Sequence, residues 1–305
     1  MLKYLRLVRF PNLLIIMLSQ VLVRYCLILP AFKTEYFVTG FFPKYLSDIK
    51  FFLLSSSTIL IAAAGYIIND YFDIHIDEIN KPGKNIIGIS ISKIKARNLY
   101  FILSAIGVVL SFYVAVGISK PIMGLLPLFS AVSLWMYSSY YKRRLFSGNI
   151  IVSVLCALSI LIIGLYEPEF YRNFIYLTWF AIPAFILSMI RELIKDMEDI
   201  DGDELSQCKT APIVLGIFKT KIIAETLIVV LAVYISLIIY KYFYVNNVMN
   251  FWYLLSLFLI PLSALFYLVI SAHEKKDFYY ASLFSKLLML GGIISILLFW
   301  YYFLK

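Results

Sequence analysis

Cysteine and histidine are scarce in this chain, and that scarcity narrows the chemistry. Cys26, Cys156 and Cys208 are its three cysteines, far apart and without a CxxC or Cys/His grouping. An odd, scattered set argues against a disulfide framework and against a zinc site. His75 and His273 are isolated, which gives no imidazole cluster. Charge is also sparse: Asp, Glu, Lys and Arg make up 15% of 305 residues, against 62% hydrophobic residues. A soluble core of this size cannot hide so much apolar surface. There is no low-complexity segment and no linker long enough to separate domains, so residues 1–305 read as a single integral membrane domain.

What the chain has in quantity is long apolar runs. About nine of them, near residues 11–32, 49–70, 97–117, 121–140, 149–166, 173–194, 219–242, 251–271 and 279–303, are each long enough to cross a hydrocarbon core of about 30 Å. The expected fold is all-α and polytopic, with about nine transmembrane helices. The first run follows Lys3, Arg6 and Arg9 but lacks a small-residue cleavage pattern, so it reads as an uncleaved helix.

The net charge of +9 does not form a solvated stripe, which argues against a nucleic-acid partner. Its distribution is topological. Lys3, Arg6, Arg9, Lys81, Lys84, Lys93, Lys95, Arg97, Lys142, Arg143, Arg144, Arg191, Lys195, Lys209, Lys219, Lys221, Lys275 and Lys276 fall on one side of alternating spans. Lys33, Lys44, Lys50, Lys120, Arg172, Lys241 and Lys305 fall on the other, and Arg24 and Lys286 lie inside spans. The richer side reads as cytoplasmic, and it carries the two longest loops, near residues 71–96 and 195–218.

Those loops begin with matching acidic patterns. NDYFDIHID places Asp70, Asp73 and Asp77 at spacings of three and four, and KDMEDIDGD repeats those spacings with Asp196, Asp199 and Asp203. On a continuing helix each trio would lie within about 60° of one face. Three carboxylates there repel each other and oppose the helix macrodipole unless a cation intervenes. Magnesium suits such a patch because it takes a few carboxylates and completes its shell with substrate phosphates and water. By the same spacing His75, Glu198 and Asp201 point away.

Either trio alone could be a set of solvated loop acids; repetition at the same side of two spans makes that bland reading weaker. Basic and hydroxyl groups on that side supply the other half of a diphosphate site. Lys81 and Lys84 follow the first trio, and Lys195 and Lys209 flank the second. Tyr137, Lys142, Arg143 and Arg144 lie in YSSYYKRRLFSGN, at the end of the fourth span. Alone, the Lys-Arg-Arg run would be a plain positive-inside signal.

These motifs resemble those of the UbiA superfamily of intramembrane prenyltransferases. Asn69, Asp70, Asp73 and Asp77 match its NDxxDxxxD pattern, and INKPGKNI looks like the segment that follows it. Asp196, Asp199, Gly202 and Asp203 match DxxDxxGD, trailed by KTAPIVLG. The YSxxxKR segment and RFPN, with Arg9 and Asn12, are similar to further signatures of the family.

The resemblance implies a magnesium-dependent enzyme that moves a polyprenyl group from an allylic diphosphate, such as geranylgeranyl diphosphate, to a lipophilic acceptor. It implies that the six aspartates bind Mg2+, that Asn69, Tyr137, Lys142 and Arg143 hold or polarise the diphosphate, and that Asn12 faces the site. Lys84 departs from the family's usual arginine, keeping charge but losing bidentate geometry. Within the family the motifs look most like the branch that prenylates geranylgeranylglyceryl phosphate, with an aromatic quinone precursor as the alternative acceptor. Arg191 and Lys195 could serve either.

A cation-dependent transporter is the rival from another class, but transport sites usually place ionisable groups near the bilayer midplane. The signature DGxxAR of lipid-alcohol phosphotransferases is missing. The protein is thus expected in the cell membrane, in contact with lipids, with its acidic loops on the cytoplasmic side.

Overall fold

Serine hydroxyls start two of the long helices. Ser47 and Ser92 each sit in extended backbone and accept from the amide three residues on, Lys50 N and Lys95 N. Each cap satisfies an N–H that the first helical turn leaves without a partner. The helices they start, and the rest of the chain, are seen in a computed structural model that describes residues 2–32, 45–80, 83, 85–167, 174–241 and 248–304.

In chain order the helices are α1 (Leu2–Leu7), α2 (Phe10–Leu22), α3 (Asp48–Phe72), α4 (Ile74–Asn80), α5 (Lys93–Gly117), α6 (Leu125–Ser139), α7 (Ser147–Tyr166), α8 (Phe174–Glu198), α9 (Ile200–Leu205), α10 (Ala211–Leu215), α11 (Ile217–Ile239), α12 (Val248–Ser271) and α13 (Lys275–Phe299). Among the described residues the β pairing is confined to an isolated bridge, Ile87 to Ile91.

Nine helical runs among the described residues are long and apolar enough to cross a membrane, and each coincides with an expected span. Several extend further than apolar content alone suggests. The helix α5 begins at Lys93 because Ser92 caps it. The last begins at Lys275, where the Asp277 carboxylate accepts from His273 N and Glu274 N.

Contacts group the chain into two compact units. The first comprises Met1–Lys142, Leu155–Ala181 and Ile293–Lys305, and the second Arg143–Val154 and Ile182–Gly292.

In the first unit α3 and α5 pack closely. Ser57 Oγ donates to Gly107 O at 2.6 Å, and a Cβ at Gly107 would meet Ile61 Cγ1 at 2.8 Å and Ser57 O at 3.0 Å. Small residues at such a crossing let backbones approach where no hydrophobic effect drives helices together. One end of α3 is held by a core of Ala64, Ile67, Ile68, Ile87, Ile91 and Tyr100, with Trp135 packed against it.

The opposite end carries a buried ion pair. Arg24, fully enclosed in a π-helical turn (Val23–Ile28) that follows α2, pairs with Glu167 and donates to Leu46 O. Glu167 also accepts from Leu46 N at 2.7 Å. The Arg24 charge, which the sequence places inside a span, is thus met by an internal carboxylate, which is how a buried charge is tolerated in an apolar setting.

In the second unit Ile190, Leu193, Ile194 and Met197 form the buried stripe of α8 against Ala224, Ile228 and Leu231 of α11 and Leu265 and Val269 of α12. Lys221 donates to Ile270 O and Ala272 O, satisfying carbonyls at the end of α12.

Candidate functional site

Both aspartate trios sit where a long helix stops. The apolar stripe Ile190, Leu193, Ile194, Met197 on α8 is matched position for position by Ala64, Ile67, Ile68 and Tyr71 on α3. At 100° per residue, Asp196 and Asp70 lie about 60° round from Leu193 and Ile67, on the flank of that stripe.

The trios were expected on continuing helices, and the structure corrects this. α3 ends at Phe72 and α8 at Glu198, and the middle aspartate of each trio occupies the break. Asp73 has φ −90° and ψ 1°, and Asp199 has φ −97° and ψ 11°. Both lie near the sparsely populated bridge region that functional residues favour. The amide ladder still bridges each break: Asp73 N donates to Asn69 O, Asp77 N to Asp73 O, Asp199 N to Lys195 O and Asp203 N to Asp199 O. Asp77 then rides on α4 and Asp203, buried, on α9.

In the first unit the carboxylates meet cations of the protein itself. Arg9 Nη2 lies 2.8 Å from Asp70 Oδ1, and its guanidinium lies over the Tyr66 ring at 5.0 Å from the centroid. Burial works against the charge on Arg9, but Asp70, Tyr66 and Asp73 outweigh it and hold the guanidinium protonated above its usual range. Buried Asp73 accepts from Asn69 Nδ2 at 2.8 Å and pairs with Lys142.

Sequence reasoning placed Lys142 and Asn69 in the site but gave Arg9 no contact with the acids. The RFPN motif was a signal for it, yet its partner lies 61 residues away. The Lys-Arg-Arg run divides. Lys142 turns inward, whereas Arg143 and Arg144 are exposed, and Arg143 contributes its carbonyl to Lys209 N.

In the second unit Asp196 Oδ2 accepts from Asn149 Nδ2 at 2.8 Å. Asn149 is buried in the first turn of α7, and its own carbonyl takes Ser153 Oγ. This residue was missed by sequence reasoning; a lone amide among apolar residues was its signal. Arg191 pairs with neighbouring Glu192 at 2.8 Å. Lys195 is half-buried in the last turn of α8, and Tyr137 is half-buried on α6. Asn12 lies in the first turn of α2, its amide donating to Arg9 O. Lys81 and Lys84 lie outside the described residues. His75 and Asp201 are exposed, and Glu198 is half-buried at the end of α8.

Among the described residues no three Asp, Glu, His or Cys side chains converge as a ready-made metal cage. The donor set is hard oxygen, and magnesium commonly takes one or two carboxylates with phosphate and water completing its octahedron. The residues therefore fit Mg2+ as the companion of a phosphate ligand rather than as a resident structural ion. What the arrangement offers chemically is carboxylates next to basic groups at helix ends, a pairing suited to a metal-bridged polyanion.

A profile of the UbiA prenyltransferase family matches residues 40–288. The chain belongs to this family. It is a multi-pass membrane prenyltransferase of the UbiA type, as the resemblance implied. The chain is 34% identical over 254 residues to a digeranylgeranylglyceryl phosphate synthase of Saccharolobus solfataricus, covering 82% of this chain and 85% of that one. Its fold is similar to a solved digeranylgeranylglyceryl phosphate synthase, with TM-score 0.63 at 24% identity over 98% of this chain and 96% of the other. It is also similar to a UbiA homolog from Archaeoglobus fulgidus bound to GPP and Mg2+, with TM-score 0.59 at 14% identity over 97% and 99% of the two chains.

Proposed function

We propose that this UbiA-family enzyme transfers a prenyl chain from an allylic diphosphate to geranylgeranylglyceryl phosphate, with Mg2+, at the cytoplasmic face of the cell membrane. The observation that carries the reading is the repeated acid-bearing helix break at Asp73 and Asp199. Similarity to synthases of this name supports the acceptor, and the excess of Lys and Arg beside both motifs supports the cytoplasmic side.

In this reading Asp70, Asp73, Asp77, Asp196, Asp199 and Asp203 supply the metal's carboxylate oxygens. When bound, Mg2+ draws charge from the departing diphosphate and so eases cleavage of its bond to the allylic carbon. Asn69, Tyr137, Lys142 and Arg143 donate to diphosphate oxygens, Lys81 and Lys84 add positive charge from the following loop, and Asn12 faces the same end. Arg191 and Lys195 receive the acceptor's phosphate.

The allylic carbon–oxygen bond breaks with its electron pair staying on diphosphate. The acceptor hydroxyl oxygen forms the new ether bond, and its proton passes to the released diphosphate. Preorganised donors stabilise charge where it develops, and exclusion of water protects the allylic cation.

The test incubates purified protein, Mg2+ and geranylgeranyl diphosphate in parallel with geranylgeranylglyceryl phosphate and with aromatic quinone precursors, reading products by mass. A prenyl ether of the phosphoglyceride is expected. Product from the aromatic acceptor alone would overturn the assignment.

A further inference from the structure

Arg9 is held in an unusual way. Its backbone is left-handed, φ 49° and ψ 54°, at the junction between α1 and α2. A non-glycine residue in that region is strained and persists when its surroundings impose it. Here the surroundings are visible: Arg9 N donates to Arg6 O, Arg9 O accepts from Asn12 N, the guanidinium stacks on Tyr66, and Nη2 binds Asp70. Four contacts aim one half-exposed cation at the first carboxylate of the motif.

That placement has a thermodynamic consequence. A divalent ion that takes Asp70 must share or displace Arg9. Taken alone, such an ion binds against the lost ion pair. If a diphosphate enters with it, the guanidinium gains new oxygens in place of the carboxylate it gives up, and its planar fork suits phosphate.

We propose that Arg9 is a positioning residue that couples metal entry to diphosphate entry, by occupying Asp70 until a diphosphate offers its guanidinium an alternative partner. Coupling of this kind is reciprocal: whatever factor the diphosphate adds to metal affinity, the metal adds to diphosphate affinity. Lys142 on Asp73 is a parallel contact from an ordinary helical turn, whereas the left-handed backbone of Arg9 makes it the more constrained of the two. The inference rests on the proposed magnesium–diphosphate reading of the site.

The experiment uses the full chain in lipid nanodiscs and measures Mg2+ affinity by calorimetry, with and without a non-ionising geranylgeranyl S-thiolodiphosphate. In the wild type the analogue should raise Mg2+ affinity by about tenfold, within the usual range of such couplings. Arg9→Asn removes the cation while keeping a side chain that tolerates the left-handed backbone. It should bind Mg2+ alone several-fold more tightly and show a coupling factor near one. Arg9→Lys keeps charge without the planar fork and should fall between.

An Arg9→Asn protein that binds Mg2+ alone no more tightly, or that retains the full coupling, would overturn the role of Arg9 while leaving the site reading intact. A wild type that binds neither Mg2+ nor the analogue would overturn both. Arg9→Gly, which also relieves the left-handed backbone, repeats the measurement if Arg9→Asn is poorly folded.

Discussion

The two aspartate motifs share a backbone and differ in what meets their carboxylates. Each follows the same apolar stripe on a long helix, breaks at its middle aspartate with nearly the same dihedral angles, and resumes as a short helix. In the first, Asp70 and Asp73 lie against the cations Arg9 and Lys142. In the second, Asp196 is oriented by the uncharged amide of Asn149. A neutral donor fixes direction without cancelling charge, whereas a cation does both. The contrast teaches that one backbone pattern can hold its carboxylates in two ways: the first motif sets them against basic groups, and the second orients one through a neutral amide.

The largest effect tests what the motifs have in common. Asp70→Asn and Asp196→Asn should each lower turnover on the order of a thousandfold, with the protein still inserted and folded by circular dichroism. Loss in one variant but not the other would break the equivalence of the two motifs.

A third acidic constellation provides the control, because α3, at about 1.5 Å per residue, puts its other end roughly 37 Å away. There Glu167 meets Arg24 in a fully buried pair. Glu167→Ala should destabilise the protein by about 3–5 kcal/mol by leaving a buried charge uncompensated. Replacing Arg24 and Glu167 together by leucine should recover much of that loss in thermal unfolding, with turnover kept at permissive temperature. A turnover collapse in the stable double variant would mean that this end also serves the chemistry.

Smaller effects sharpen the difference between the motifs. Asn149→Ala should cost about 10–100-fold in turnover or metal affinity, the usual effect of removing a group that orients a ligand, with KM for the diphosphate little changed. Lys142→Ala should instead raise KM for the diphosphate about tenfold, more than KM for the acceptor, as loss of a charge-assisted contact does. Equal rises for both substrates would reduce Lys142 to a topological role.

Much of this fold was legible because membrane spans announce themselves by length and apolarity, properties of contiguous residues. All nine spans of the described residues were expected on that basis. The spacing of the acids was equally local and marked the candidate site. The breaks at Asp73 and Asp199 were not legible, since a spacing of three and four residues fits an unbroken helix as well as a broken one. Arg9 and Asn149 act through partners 61 and 47 residues away, and pairings at that distance leave no local pattern. Lys142, Arg143 and Arg144 show the same limit from the other side: adjacent and alike in sequence, they separate into one inward cation and two exposed ones.

The most direct test of the central claim counts divalent ions. With Mn2+ in place of Mg2+ and the S-thiolodiphosphate bound, the wild type should retain about two ions per chain, as two-metal sites do. Asp70→Asn and Asp196→Asn should each retain fewer. Full retention by both variants, or none by the wild type, would contradict the assignment of the two motifs to a shared metal–diphosphate chemistry.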